Sequence, residues 1–442
     1  MLRSLWGRFA KISQDSQRIL KGMVAVAGFL LLAKTIAAAK EIVLAHSYGT
    51  SAELDGHLFV FNLASWPVSV LATALWFGLT PAWIKLKALD QATRRRAAAD
   101  LLGLILLTAL LLALGVGGLF YWLLRDARSG LGAIAQIAAI DSVWAVLIFV
   151  VLACLASLFS IWLMSAQRHG NTLLEAAPSA AIGLCVITPL WFGSGPLGVL
   201  PLNIGLAVGS VVQLALLAWL FKDDGPNDIS LPNRGSLVWG LLHGMGIALV
   251  AQVIMSSTVI VDTLVLARMG EGALTAYTYA HRLMALATGL TAMVIGRSVL
   301  PVFSAQNDKS ISLKLAKTWA FRLFGLGCIG SIFIATLARP AVALLFQHGA
   351  FTSDDTDHVA KILQFLSLQL PFYMASTLWF SWLISVGSLK PYMLMAGIGA
   401  LAKVVTVWYF FDMGDSGLAL STVFVSIIHW FVVLMFARKF IK

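Results

Sequence analysis

Apolar stretches of about 20 residues, long enough to cross a bilayer as helices, recur along this sequence from end to end. Their lengths and the polar breaks between them predict spans near 22–44, 58–84, 98–124, 132–164, 173–192, 197–221, 237–267, 273–303, 312–336, 359–388, 391–411 and 417–437. Only helices and closed barrels satisfy their own backbone in lipid, and runs of this length are helical. The pattern therefore predicts an all-α polytopic membrane protein of about 12 transmembrane helices.

The longest polar interruption, Lys222–Gly235 (KDDGPNDISLPNRG), falls at the midpoint and has no apolar periodicity. It reads as a cytoplasmic linker, 222–236, between an N-terminal lobe, 1–221, and a C-terminal lobe, 237–442, with six spans in each. The halves echo each other. Gly49-Thr-Ser-Ala52 leads into a helix that reaches Leu79-Thr-Pro81, and Gly270-Glu-Gly-Ala273 leads into one that reaches Val299-Leu-Pro301. An even number of spans per half keeps both halves in one orientation, which makes a parallel repeat about an axis along the membrane normal. Two six-helix bundles facing each other across a central cavity form a transporter architecture.

Composition agrees: of 442 residues, 60% are hydrophobic and 12% charged, about half the charged share of a soluble domain. Mean hydropathy is +0.89. The first apolar run carries charge and lacks a small-residue cleavage site, so no removable signal peptide is read. Cys154, Cys185 and Cys328 all lie in apolar segments, where they read as small buried residues. The net charge of +11 is a topology signal. Arg3/Arg8/Lys11/Arg18/Lys21, Lys85/Lys87/Arg94/Arg95/Arg96, Lys309/Lys314/Lys317 and Arg438/Lys439/Lys442 fall on one side, and Glu53/Asp55, Asp354/Asp355/Asp357 and Asp412/Asp415 on the other. The positive-inside rule puts both termini in the cytoplasm, and the charge needs no nucleic-acid partner.

A smaller set of charges sits at membrane depth: Lys34, Lys40, Glu41, Asp262, Arg282, Arg297, Lys361 and Lys403, with Glu175 at the margin. Each costs at least a few kcal/mol there, and cations outnumber carboxylates, so the interior favours an anion. Lys34 and Glu41 are seven residues apart on one helix face, two turns from each other, and Lys40 lies on another face. Lys40 and Arg282 are assigned to the cavity; Arg297, Lys361 and Lys403 are assigned to the headgroups by snorkelling. The second span holds Asn62-Leu-Ala-Ser65-Trp-Pro67-Val-Ser69. This reads either as a kinked, polar-lined moving wall or as serines bonding their own backbone around a proline. No P-loop and no His/Cys cluster with metal spacing occurs, and the acidic cluster Asp354, Asp355 and Asp357 reads equally as a helix start.

Three stretches resemble the MurJ/MviN lipid II flippase family of the multidrug/oligosaccharidyl-lipid/polysaccharide exporter superfamily. Ala33-Lys34-Thr-Ile-Ala-Ala-Ala-Lys40-Glu41, followed by Tyr48-Gly49 and Asp55, resembles the family's S-R-x-x-G-x-x-R-D and F-G…D, with lysine for arginine and glutamate for aspartate. Val261-Asp262-Thr263 and Tyr279-Ala-His281-Arg282-Leu-Met284 resemble I-D-T and Y-A-D-R-L-M. Leu345-Phe346-Gln-His-Gly349-Ala-Phe351-Thr352-Ser-Asp-Asp-Thr356 matches L-F-x-x-G-x-F-T-x-x-D-T. There are departures. The family's second-helix arginine and glutamate fall near Ser69 and Thr73, its aspartate before Arg282 is His281, and a glutamate one turn on is Ala285. Two C-terminal helices typical of the family have no counterpart in these residues, so a shorter lipid-tail groove is expected.

The resemblance implies a flippase, not an enzyme, that moves a polyprenyl-pyrophosphate-linked saccharide, lipid II or a related polysaccharide repeat unit, from the cytoplasmic to the outer leaflet by alternating access. Lys34, Lys40 and Arg282 would hold the pyrophosphate; Glu41, Asp55, Asp262, His281, Asn62, Ser69 and Arg297 would line the cavity or couple it. No cofactor is expected, and the driving force is Na+, H+ or the membrane potential. The expected setting is a monomer in the bacterial inner membrane, among its lipids and beside cell-wall or exopolysaccharide enzymes. The second reading is a drug/cation antiporter of the same superfamily, which should use buried carboxylates and is disfavoured by a net basic interior. A membrane glycosyltransferase or polymerase should carry a sizeable outer loop with catalytic carboxylates, and these loops are short.

Overall fold

The structure, a computed structural model, describes residues 14–86, 90–126, 128–165, 171–191, 198–222, 225–226, 228–233, 235–242, 245–304, 309–385 and 390–439. The described residues form helices and turns. The helices are α1 (Gln14–Tyr48), α2 (Ala52–Leu86), α3 (Gln91–Arg125), α4 (Ala133–Ser165), α5 (Asn171–Leu174), α6 (Ala177–Trp191), α7 (Leu200–Phe221) and α8 (Val238–Leu242). They continue with α9 (Met245–Leu266), α10 (Ala273–Ser304), α11 (Lys309–Phe346), α12 (Ser353–Ser367), α13 (Leu370–Ser385), α14 (Lys390–Tyr409) and α15 (Gly414–Lys439). The short pairs α5/α6, α8/α9 and α12/α13 each fall largely within one predicted span, so the helices correspond to the twelve spans of the pattern. Among the described residues, 7 helical segments are long and apolar enough to cross a membrane, one of them the α5/α6 pair taken together; the others are broken, short or charged.

Local chemistry sets the ends. Asp90 caps α3 by accepting from the Thr93 N–H at 2.9 Å. Thr352 and Asp355 form a reciprocal capping box at the start of α12. The acidic cluster at 354–357 is therefore a helix start, one of its two readings in sequence. Asp100, buried in α3, accepts from Ser230 Oγ at 2.5 Å and Ser236 Oγ at 2.6 Å, so the polar linker lies across the base of that helix. In α2, Ser65 Oγ donates to Asn62 O at 3.1 Å and Ser69 Oγ to Trp66 O at 2.7 Å, the self-bonded reading of that stretch.

In the N-terminal lobe α4 is central, packed between α2, α3 and α7, and α6 joins α7 to α1. In the C-terminal lobe α13 packs on α10, α11 and α15, and α14 joins α9 to α15. The lobes meet along α2 and α9, where Trp66 Nε1 donates to Ser256 Oγ at 3.0 Å. Alternating access needs such a seam, because each lobe must move as a packed body against the other.

Candidate functional site

The two Gly-containing turns of the repeat face each other at one end of the seam. Gly49 has φ 55° and Gly272 φ 81°, left-handed values that suit glycine. A Cβ on Gly272 would lie 2.6 Å from Thr50 O, and one on Gly49 would lie 2.6 Å from Ala350 O, so the backbones are in direct contact. Asp55 crosses this joint. It is 3% exposed and accepts from Gly272 N at 2.6 Å, Thr275 N at 2.8 Å and Thr275 Oγ1 at 2.6 Å. A carboxylate on one lobe thus caps the N-terminus of α10 on the other. Ala350 N donates to His46 O at 2.8 Å, and Thr50 donates to Asp355, the residue that also caps α12. These bonds close the seam at the end where charge patterning places the outer loops.

Deeper along the seam, Lys40 and Glu41 of α1 meet Arg282 of α10. Lys40 Nζ lies 2.6 Å from Glu41 Oε1, and Arg282 Nη1 pairs with Glu41 Oε2. Glu41 is buried and Arg282 about one-third exposed, so one carboxylate bridges two cations from opposite lobes. Two basic side chains and one carboxylate give the triad a formal charge of +1. Lys34 is exposed on α1, roughly 9 Å along the helix axis from Lys40, and stands apart from the triad.

Beside the triad, a cavity of about 260 Å³ opens between α2, α9, α10, α14 and α15. Arg282 belongs to both; Asn62, Asp262, Tyr277, His281 and Lys403 line the cavity. Lys403 corrects the snorkelling assignment: it is 2% exposed, points inward, and pairs with Asp262 Oδ1 at 2.8 Å. It also donates to Ser421 Oγ at 2.9 Å and Thr422 Oγ1 at 2.7 Å. Three oxygens match the three N–H bonds of an ammonium, so a lysine too far from a helix end to snorkel is satisfied internally. Lys361 is exposed, as snorkelling requires. The side chain of Arg297 lies outside the described residues. Ser69 is exposed.

Sequence reading missed Tyr277, Ser421 and Thr422. Nothing in their spacing marks them, although Tyr277 lies four residues before His281 on α10 and their rings stack at 6.0 Å.

Two helical lobes, sealed against each other at one end and joined by an ion-paired cluster in mid-seam, define a membrane transporter. The family description "Lipid II flippase MurJ" matches residues 44–442. The chain belongs to the lipid II flippase MurJ family. Relatives so named include a protein of Burkholderia cenocepacia, 24% identical over 78% of this chain and 69% of that protein. One of Bdellovibrio bacteriovorus, a probable lipid II flippase, is 24% identical over 57% of this chain and 49% of its own length. Among solved structures, lipid II flippase MurJ in an inward closed conformation superposes with TM-score 0.78 at 18% identity, covering 94% of this chain and 87% of that one. An inward-facing multidrug resistance MATE transporter gives 0.72 at 16% identity, covering 92% and 93%. At these identities the likeness is one of fold.

Proposed function

We propose that this chain flips a polyprenyl-pyrophosphate-linked saccharide, of the lipid II class for which its relatives are named, from the cytoplasmic to the outer leaflet. The observation that carries the reading is the Lys40–Glu41–Arg282 triad across the lobe seam. Charge-assisted hydrogen bonds from Lys40 and Arg282 to a pyrophosphate replace those to Glu41. Lys34, farther along the same helix, meets the headgroup on its way in. Lysine at 34 and 40 supplies point charge where arginine would supply a bidentate fork, so the grip is looser.

With the outer seal closed, the cavity opens to the cytoplasm; rocking of the lobes breaks the Asp55 cap and the Thr50–Asp355 bond and opens the other side. A headgroup bearing about two negative charges moves outward down an inside-negative potential with a gain of roughly 5 kcal/mol per 100 mV. Return of the emptied, cationic site then sets the coupling, by potential alone or with Na+ or H+. Lys403 already holds Asp262, which leaves Glu41 as the carboxylate freed when substrate takes its partners.

Lys40→Ala and Arg282→Ala should each abolish flipping, measured per folded protein in reconstituted vesicles, although loss of one partner of the buried Glu41 also lowers the melting temperature. Unchanged turnover in the Arg282 variant would sink the reading.

A further inference from the structure

We propose that the cavity of about 260 Å³ beside the triad is the subsite for the first sugar ring of the lipid-linked saccharide; this rests on the pyrophosphate reading above. In a glycosyl pyrophosphate the first ring is bonded directly to the distal phosphate. It must therefore lie within one side-chain length of the group that grips that phosphate. Arg282 pairs with Glu41 in the triad and also lines this cavity, so the two sites share a wall.

The lining suits a neutral polyol. Thr278 Oγ1 donates to Leu274 O at 2.7 Å and Thr258 Oγ1 to Met255 O at 3.3 Å. Their protons are spent on their own helices, and the lone pairs that face the cavity are acceptors. Asp262, partly exposed beside them, is another acceptor. Sugar hydroxyls are donors in excess and match such a wall. Asn62 adds amide donors from α2, so the cavity is completed by both lobes. The exposed imidazole of His281, backed by the Tyr277 ring 12° from parallel to it, offers a flat face for the C–H side of a pyranose.

Charge and size agree with this assignment. Asp262 and Lys403 neutralise each other, so apart from Arg282 the wall attracts neither a second phosphate nor an organic cation. The volume lies below the 300–1,000 Å³ usual for drug-sized ligands, and fits one ring of about a dozen heavy atoms. Later sugars must extend into the open seam. Because Asn62 belongs to one lobe and His281 to the other, the first ring is read by both lobes at once.

The test compares undecaprenyl pyrophosphate with undecaprenyl-pyrophosphoryl-N-acetylhexosamine, each bound to the full chain in nanodiscs. The sugar-bearing lipid should bind about fivefold or more tightly than the bare one, the worth of one to two neutral hydrogen bonds. Asn62→Ala and His281→Ala, both with unchanged melting temperatures, should each cut that ratio by about threefold or more. Arg282→Ala should weaken both lipids. Equal affinity for the two lipids in the wild type, or a ratio unmoved in both cavity variants, overturns the subsite and leaves the pyrophosphate site standing. If neither lipid binds, the pyrophosphate reading fails and the subsite falls with it.

Discussion

Lys403 shows how a single buried charge organises one lobe. Its ammonium ties α14 to Asp262 on α9 and to Ser421 and Thr422 on α15, so three helices converge on one nitrogen. Replacing Lys403 with methionine keeps the packing volume and leaves Asp262 without its cation. Breaking a buried pair from one side costs about 3–5 kcal/mol, so Lys403→Met should lower the melting temperature markedly. Adding Asp262→Asn should restore most of the loss, because the double variant buries no net charge. A single variant as stable as the wild type would show that the pair contributes nothing. The Asp55 carboxylate has a comparable role between lobes: its three accepted bonds hold α10 against the start of α2 only while the seam is closed.

At the scale of elements, the N-terminal ends of α12 and α15 are joined by His358 and Asp415. The hydrogen bond that His358 Nε2 donates to the Asp415 carboxylate raises the His358 pKa above its ordinary value, against a smaller opposing effect of burial. A raised pKa in the folded state means that the contact contributes its full stability below about pH 6.5. It is lost as pH rises through the raised value. The imidazole is half-exposed, so solvent screens the effect and it stays local. Protection factors for the first turns of α12, corrected for the intrinsic base-catalysed exchange rate, should be lower at alkaline than at mildly acidic pH, and His358→Ala should remove that dependence. An identical pH dependence in the variant would assign it elsewhere. The motif from Leu345 to Thr356 acquires a physical account at this scale: Gly349 makes the turn at φ 65°, Thr352 and Asp355 cap α12, and Asp355 then reaches Thr50 of the other lobe.

For the whole molecule, the decisive question is cargo. If Ser69 stands where the resemblance puts a second-helix arginine, the chain should hold an anionic headgroup with fewer charge-assisted bonds. Each such bond is worth about 1.5–3 kcal/mol, at least tenfold in affinity. The chain should therefore only partly rescue a strain depleted of its lipid II flippase, and Ser69→Arg should improve the rescue. Full rescue by the unaltered chain would show that this departure is neutral. The same strain carries the topology test: reporters placed after Arg96 should be cytoplasmic and at Ser353 external, and finding both on one side would refute the twelve-pass orientation.

The sequence by itself determined where the helical spans lie, though not the breaks within α5/α6, α8/α9 and α12/α13, because span length and polar breaks are local properties of the chain. It also singled out Lys40, Glu41 and Arg282, since an ionisable group in an apolar run stands out wherever it folds. Pairing was a tertiary decision. Glu41 could be matched with Lys34 or Lys40 by helical spacing, yet its second partner, Arg282, lies 241 residues away on the other lobe. Lys403 looked like a snorkelling cation because its oxygen ligands sit on two other helices, and Asp55 looked like a loop charge until α10 brought its N–H groups to it. Hydrogen-bonding capacity is written in residue type; which donor meets which acceptor depends on how two lobes, each packed around its own core, come together along α2 and α9.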